Sequence, residues 1–182
     1  MVAVSLKKKA SPGAALTWQA DARTLDALAA VRHVAGAFAD GTGTDRLPGA
    51  LVTASLFDVL GLAPVQGRAF TAADDTPGAA RVVLLAHRAW QTRYAAATDV
   101  IGRVVTLDGR PATIVGVLPA HADTLVPDAD WWAPLALAPS ERANIGPRYL
   151  DVIGRLSATA SPAAATQELE AIGARLALRA DD

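Results

Sequence analysis

Two adjacent acidic residues, Asp74 and Asp75, are the first candidates for chemistry in the sequence. Paired carboxylates with separated pKa values can act as a general acid and a general base. Adjacent side chains in a loop usually point apart, so we favour a structural interpretation in which one of them accepts hydrogen bonds from Arg68 or from loop amides. Arg68 should then be partly buried, and Arg68→Ala should lower stability by about 1–3 kcal/mol, the cost of an unsatisfied buried partner.

The segment DGTGTD at residues 40–45 is a second candidate. Its alternating Asp and Thr oxygens, spaced by glycines, are ligands of the kind that calcium prefers. The bidentate acid that closes an EF-hand loop would fall at Leu51, however, so the segment does not fit that motif. We therefore interpret it as a flexible loop between two strands that binds no metal.

Other motifs that carry chemistry are missing from the sequence. The histidines at 33, 87 and 121 lack the spacing of a zinc site, and there is no cysteine to supply a thiolate. No serine lies in a G-x-S-x-G context, and the glycines are too dispersed to form a phosphate-binding loop. The sequence therefore predicts no catalytic residue, no cofactor-binding residue and no metal ligand.

Composition narrows the class of protein further. The chain has 182 residues and a net charge of −1, and its few aromatic residues do not alternate with a basic patch. These features give no support for nucleic-acid binding. We also find no run of about 20 predominantly apolar residues and no signal-peptide pattern. A single domain, or two small subdomains with a shared core, is the expected organisation.

The hydrophobic pattern predicts an α+β fold. Strands are predicted at residues 2–6, 32–39, 51–54, 82–85 and 149–156, with an irregular stretch and one short strand at 123–139. Helices are predicted at 21–30 with Asp21 as N-cap, at 55–61, at 87–96, and from Pro162 onward with Ser161 as N-cap. Because the two ends should share one sheet, we divide the chain into a subdomain of residues 1–49 and 140–182 and an inserted subdomain of residues 50–139.

The four tryptophans could line a ligand groove, but packing in a core is the preferred interpretation. Trp90 and Tyr94 are four residues apart on a predicted helix, so they share one face. We expect them to form the core of the inserted subdomain together with the apolar strand at 82–85. Trp90→Ala should then cost about 3–5 kcal/mol, as a large-to-small core substitution does.

The clearest local signal is a β-hairpin in TLDGRPATIVGVLP, residues 106–119. Asp108 and Gly109 form a dipeptide typical of a type I′ turn, in which both central residues need a positive φ. Apolar residues flank the turn on both sides, and Pro119 should end the second strand. The hairpin contains no nucleophile and no ligand pair, so its role is predicted to be structural.

Five segments in series carry a resemblance to a known family: VTASLFDVLGLAPVQGRAFTAADD, RVVLLAHRAWQTRY, DVIGRVVTLDGRPATIVGVLPA, WWAPLAL and VIGRLSATASPAAATQELEAI. In this order and spacing they resemble the MacB-like periplasmic core domain of FtsX-like ABC transporter permeases, especially the duplicated orphan permeases. The resemblance covers about residues 50–180.

That resemblance implies a βαβ-rich membrane-proximal subdomain with an inserted subdomain that contains the hairpin. It implies a position between the first two transmembrane helices of a permease, on the outer face of the cytoplasmic membrane, with both chain ends on one side of the fold. It also implies that the domain itself is non-catalytic and is mechanically coupled to a cytoplasmic ATPase domain or subunit. Further partners would be a second permease copy or a periplasmic protein.

Two other functions stay open at this point. A periplasmic ligand-binding module would need a pocket with converging polar groups. A hydrolase with a site at Asp74, Asp75 or His87 would need a carboxylate with a strongly raised pKa in a cleft.

Overall fold

The computed structural model describes residues 4–41 and 43–178. The strands are β1 (Val4–Ala10), β2 (Leu25–Ala39), β3 (Thr44–Val52), β4 (Gln66–Gly67), β5 (Val82–Leu85), β6 (Val104–Leu107), β7 (Arg110–Val117), β8 (Trp131–Pro134) and β9 (Leu150–Leu156). The helices are α1 (Pro12–Asp21), α2 (Leu56–Leu60), α3 (His87–Tyr94), α4 (Ala122–Leu125), α5 (Pro139–Arg142) and α6 (Pro162–Leu178), with a 3₁₀ turn at Thr98–Val100. The predicted α+β class is confirmed.

All the strands of the described residues belong to one mixed sheet in the order β1-β9-β2-β3-β8-β5-β7-β4, and β6 joins β7 to β2. The pairings of β2, β3, β8, β5, β7 and β6 therefore run in a closed ring. Strands β9 and β1 extend the sheet away from this ring, alongside the first half of β2.

The long strand β2 connects the ring to the extension. Residues Leu25 to Val31 pair with β9, and residues Val31 to Ala39 pair with β3. At its end, Phe38 and Ala39 also pair with β6. One continuous strand thus belongs to both parts of the sheet.

The predicted helix at 21–30 is wrong, because residues Leu25 to Ala30 are the start of β2. Leu28, Ala29, Ala30 and Val31 are all buried, since helices cover both faces of the sheet at this point. A strand buried on both faces has a continuous apolar pattern, which does not alternate and resembles a helix segment. Pairing with β9 and burial on both faces override the helix preference of its Leu and Ala residues.

The first helix lies earlier, at Pro12–Asp21. It begins with Ser11 followed by proline, the same Ser-Pro start that correctly predicted α6 at Ser161 and Pro162. In α6 the Ser161 hydroxyl accepts a hydrogen bond from the amide of Ala164 at 3.1 Å. The sequence therefore contains a start signal for α1, although the predicted helices do not include it.

Three apolar clusters form the core. One lies between the sheet and helices α1 and α6, one lies on the opposite face under α2, and one fills the strand ring. In the first cluster the buried indole of Trp18 donates a hydrogen bond to the carbonyl of Leu169 at 3.0 Å, which ties α1 to α6. In the ring, the indole of Trp131 lies so close to Gly49 that a Cβ at that position would overlap it.

The remaining predicted elements are confirmed with shifted bounds. The strand at 82–85 is β5 as predicted, β1 and β3 are longer than predicted, and the helix at 87–96 ends at Tyr94. Gly61, with φ of +64°, ends α2. Ser55 is at the N-cap of α2, but its hydroxyl donates instead to the carbonyl of Leu28 at 2.9 Å.

The division into two subdomains stays a prediction. Strand β3 crosses the proposed boundary at residue 50, and the strands of both parts share one sheet.

The expected position of the chain ends concerns Met1 and Asp182, which lie outside the described residues. Two described residues lie close to the chain ends in sequence. Val4, at the start of β1, pairs with Arg155, whereas Ala177 of α6 lines a cavity together with Ser11, which follows the other end of β1. Within residues 4–41 and 43–178, no helix is both long and apolar enough to cross a membrane.

Candidate functional site

The hairpin turn closes the strand ring. Asp108 and Gly109 have φ values of +51° and +74°, as a type I′ turn requires, and they join β6 to β7. The Asp108 carboxylate also accepts a hydrogen bond from the amide of Ala37 at 2.8 Å, while the Asp108 amide donates to the carbonyl of Ala37 at 2.8 Å. Asp108 therefore fastens the turn to β2, a contact that the turn signal does not reveal.

Arg68 and Asp74 form a forked ion pair within one loop. The Nη1–Oδ2 distance is 2.7 Å and the Nη2–Oδ1 distance is 3.1 Å. The amide and hydroxyl of Thr71 donate to Asp74 Oδ2 at 2.7 and 2.8 Å. The hydrogen bond from Arg68, helped by those from Thr71, lowers the pKa of Asp74 from 3.8 to about 2. The Arg68 side chain is 49% exposed, more than predicted, so its removal should cost less than predicted.

Asp75 points away from Asp74 and joins two other segments. Its Oδ2 accepts a hydrogen bond from the amide of Ala54 at 3.0 Å, and its Oδ1 accepts one from the amide of Ala136 at 2.7 Å. Ala54 and Ala136 each lie two residues beyond the end of one of the parallel-paired strands β3 and β8. The two acids therefore do not share a site. With a lowered pKa, Asp74 has the opposite of the shift that a general acid needs.

The 40–45 loop is held by α3. Arg93 of α3 lies with its Nε 3.2 Å from Asp40 and its Nη1 2.8 Å from Asp45, and its guanidinium stands 5.8 Å from the ring centre of Phe38. Burial, followed by the nearby Asp40 carboxylate, raises the pKa of the Tyr94 hydroxyl. The two acids that suggested calcium ligands thus bind a guanidinium. Throughout the described residues, no cluster of three or more His, Asp or Glu side chains could hold a metal ion.

Trp90 and Tyr94 pack at the edge of the ring cluster rather than at its centre. Trp90 is half-buried, and its indole donates a hydrogen bond to the carbonyl of Ala97 at 2.8 Å. The ring of His87 meets the Trp90 ring edge-on at 5.4 Å, and His87 Nδ1 lies 3.3 Å from the carbonyl of Leu118. These contacts position α3 against the ring and bring no nucleophile near His87.

The structure does not bring the sequence-predicted residues together into one site. Arg68 and Asp74 meet, and Trp90 and Tyr94 lie on one helix with Arg93. Asp75 and Asp108 each stabilise a different connection. Arg93 is a polar residue that the sequence patterns did not single out. Its partners Asp40 and Asp45 lie about 50 residues earlier in the chain, so no local pattern indicates these contacts.

Solved structures with a similar fold come from the periplasmic or extracellular regions of other proteins. The fold is similar to the periplasmic region of MacB from Actinobacillus actinomycetemcomitans, with a TM-score of 0.72 and 19% identity over 94% of this chain and 76% of that one. It is also similar to the extracellular domain of the noncanonic ABC-type transporter YknZ from Gram-positive bacteria, with a TM-score of 0.62 and 13% identity over 90% and 78% of the two chains. At these identities the likeness shows the fold alone.

The sequence itself identifies the family. The family model of the MacB-like periplasmic core domain matches residues 1–172, and the chain belongs to that family. The predicted resemblance is thus confirmed, and it extends through the first 45 residues. No curated protein matches the sequence. Family membership makes this a periplasmic domain of an ABC transporter permease and links it to the transmembrane helices and the ATPase of such a transporter.

Proposed function

We propose that this domain is a non-catalytic coupling element, which passes movements of the permease's transmembrane helices to a substrate or partner outside the cytoplasmic membrane. It acts with the transmembrane helices of the same permease and, through them, with a cytoplasmic ATPase domain or subunit. A second permease copy or a periplasmic protein is the partner on its outer side. The observation that carries the proposal is strand β2, which belongs to both parts of the sheet.

A coupling element must be stiff between its two ends. The first half of β2 pairs with β9, which leads into α6, and the second half forms part of the strand ring. Packed strands resist bending and transmit strain. A displacement of α6 and β9 therefore reaches the ring through one continuous strand rather than through a flexible linker.

The polar contacts are consistent with a mechanical role. Asp75, Asp108 and Arg93 each connect segments that are distant in sequence, and each does so with hydrogen bonds to the chain itself. Such cross-links make the loops between strands part of the rigid body. None of these groups is directed at a common point where a substrate could react.

The proposal is tested in the complete permease with its ATPase, by substitutions that make the middle of β2 more flexible. The double substitution Val34→Gly and Ala35→Gly removes two side chains from the ring half of β2, a few residues beyond its β9-paired half, and glycine adds backbone freedom. We expect transport, or stimulation of ATP hydrolysis by substrate, to fall while the permease stays folded. The matched control is Ala63→Gly with Val65→Gly, an Ala and a Val in an exposed loop. Equal activity of the two variants would overturn the proposal.

The non-catalytic part of the proposal has a separate test. Calorimetric titration of the 182-residue chain with calcium, zinc and ATP should give no stoichiometric binding at a Kd below about 10 micromolar, which corresponds to about 7 kcal/mol. Binding at that level would reveal a site where we infer only structural contacts.

A further inference from the structure

A cavity of about 480 Å³ lies at one end of the strand ring. Its walls come from the ends of β3 and β8, the beginnings of β5 and β7, and the loop at 76–80 that precedes β5. Deep in it are apolar side chains of the ring cluster, such as Val83 and Leu107. Two arginines, Arg81 and Arg110, line it as well.

The guanidinium of Arg81 is held in place at the cavity by the hairpin turn. Its Nη1 donates a hydrogen bond to the carbonyl of Leu107 at 2.9 Å and lies 3.5 Å from the carbonyl of Arg110, the residues on either side of the Asp108-Gly109 turn. Both contacts use the same nitrogen. Nε and Nη2 have no hydrogen-bond partner among residues 4–41 and 43–178 and remain available as donors.

Arg110 begins β7 beside the same cavity, and its side chain forms neither an ion pair nor a hydrogen bond within the part of the chain that the structure describes. Four other arginines, by contrast, are paired with aspartates at short distances: Arg68, Arg88, Arg93 and Arg103. The cavity thus has two positive groups, neither of which forms an ion pair with a carboxylate of the described residues.

One acid does line the cavity, and it limits the charge of the ligand. Both oxygens of Asp74 are occupied by Arg68 and Thr71, and the carboxylate stays ionised. Its negative charge would repel a dianion more than a monoanion. Pro77, Ala79 and Pro134 form an apolar wall beside the arginines. This wall can cover the apolar part of a ligand while the anionic group of the same ligand faces the guanidinium groups.

We propose that this cavity is a binding site for a small monocarboxylate with an apolar body, held by Arg81 and Arg110. The site is separate from the coupling role of β2, and either proposal can fail without the other. Arginine suits this task because its planar fork of donors matches a carboxylate.

The test is an NMR titration of the ¹⁵N-labelled chain with octanoate. Octanamide, which has the same hydrocarbon chain but no charge, is the matched control ligand. We expect saturable shifts of the amides of Gly78 and Ala79, which line the cavity, and none at Ala174 of α6, which does not. Arg110→Gln should weaken octanoate binding about tenfold or more, because it removes a charge-assisted contact. Arg175→Gln, the same charge change on an exposed residue of α6, should leave it unaltered.

Arg81→Gln also loses the bond to Leu107, so its folding must be checked by circular dichroism. Arg110→Gln breaks no hydrogen bond or ion pair of the described residues, so it remains a decisive test if Arg81→Gln unfolds. Equal binding of octanamide, equal weakening by Arg175→Gln, or shifts centred on α6 would each overturn the site. Tighter binding of inorganic phosphate than of octanoate would overturn the assignment to a monocarboxylate.

Discussion

Asp74 and Asp75 hold different parts of the molecule, although they are adjacent in the chain. Asp74 closes its own loop through Arg68 and Thr71, whereas Asp75 binds the amides that follow β3 and β8. Half of the Arg68 side chain lies in water, where an ion pair gains little free energy. The bonds of Asp75 are part-buried and join this loop to the segments that follow β3 and β8.

We therefore predict that Asp75→Ala is more damaging than Arg68→Ala. Two amides lose a charged acceptor in Asp75→Ala, which should cost about 2–4 kcal/mol. Arg68→Ala should cost no more than about 1 kcal/mol, because the pair it breaks is exposed. The free energy of unfolding in urea measures both. A larger loss in Arg68→Ala would contradict this order.

The pH dependence of stability offers a second residue-scale prediction. Because folding lowers the pKa of Asp74 to about 2, this group adds stability above its unfolded pKa of 3.8, and that stability is lost as pH falls from about 4 toward 2. Asp74→Asn should therefore lose less stability over that interval than the unaltered chain, by about 1–2 kcal/mol. Urea unfolding at a series of pH values compares the two; parallel pH profiles would show that Asp74 contributes nothing.

At the scale of elements, β5 and β8 supply two cores at once. Val82 and Leu84 face the cluster under α2, while Val83 and Leu85 face the interior of the ring. Trp132 and Trp131 divide in the same way on β8, because successive side chains on a strand point to opposite faces. The apolar run of β5 therefore belongs to two clusters, and Trp90 packs only at the edge of one.

From this arrangement we predict that Trp132→Ala costs about 3–5 kcal/mol, since Trp132 is 1% exposed and packs beside Phe57 at a ring-centre distance of 6.3 Å. Trp90→Ala should cost about 2 kcal/mol, less than the sequence suggested, because part of the indole is already in water. Midpoints of urea unfolding rank the two variants. The reverse ranking would place the main core under α3 instead.

At the scale of the whole molecule, the ring and the extension share β2, so neither can lose its strand pairing without disturbing the other. We predict a single cooperative unfolding transition, with the slowest-exchanging amides of β9 and β7 reporting the same free energy of opening. Urea-dependent hydrogen exchange measures both strands in one experiment. Clearly different free energies would mean that residues 50–139 unfold as an independent subdomain.

Local patterns in the sequence determined the elements whose geometry depends on near neighbours. The Asp108-Gly109 turn, the apolar strand at 82–85 and the Ser161-Pro162 helix start are all set within a few residues, through φ preference, burial pattern and capping. The same kind of signal was available for α1 at Ser11 and Pro12. The ordered series of segments from residue 50 onward was enough to identify the family.

Only the tertiary structure decided the state of residues 25–30 and the closing of the ring. Leu25 pairs with Leu156, and Phe38 pairs with Leu107, so the partners that make β2 a strand lie far along the chain. The same holds for Asp75, whose acceptor role depends on amides at Ala54 and Ala136, and for the two cavity arginines, which the hairpin turn brings together. A short segment of sequence does not indicate such partners, because strand pairing and loop cross-links form only when distant segments pack against each other.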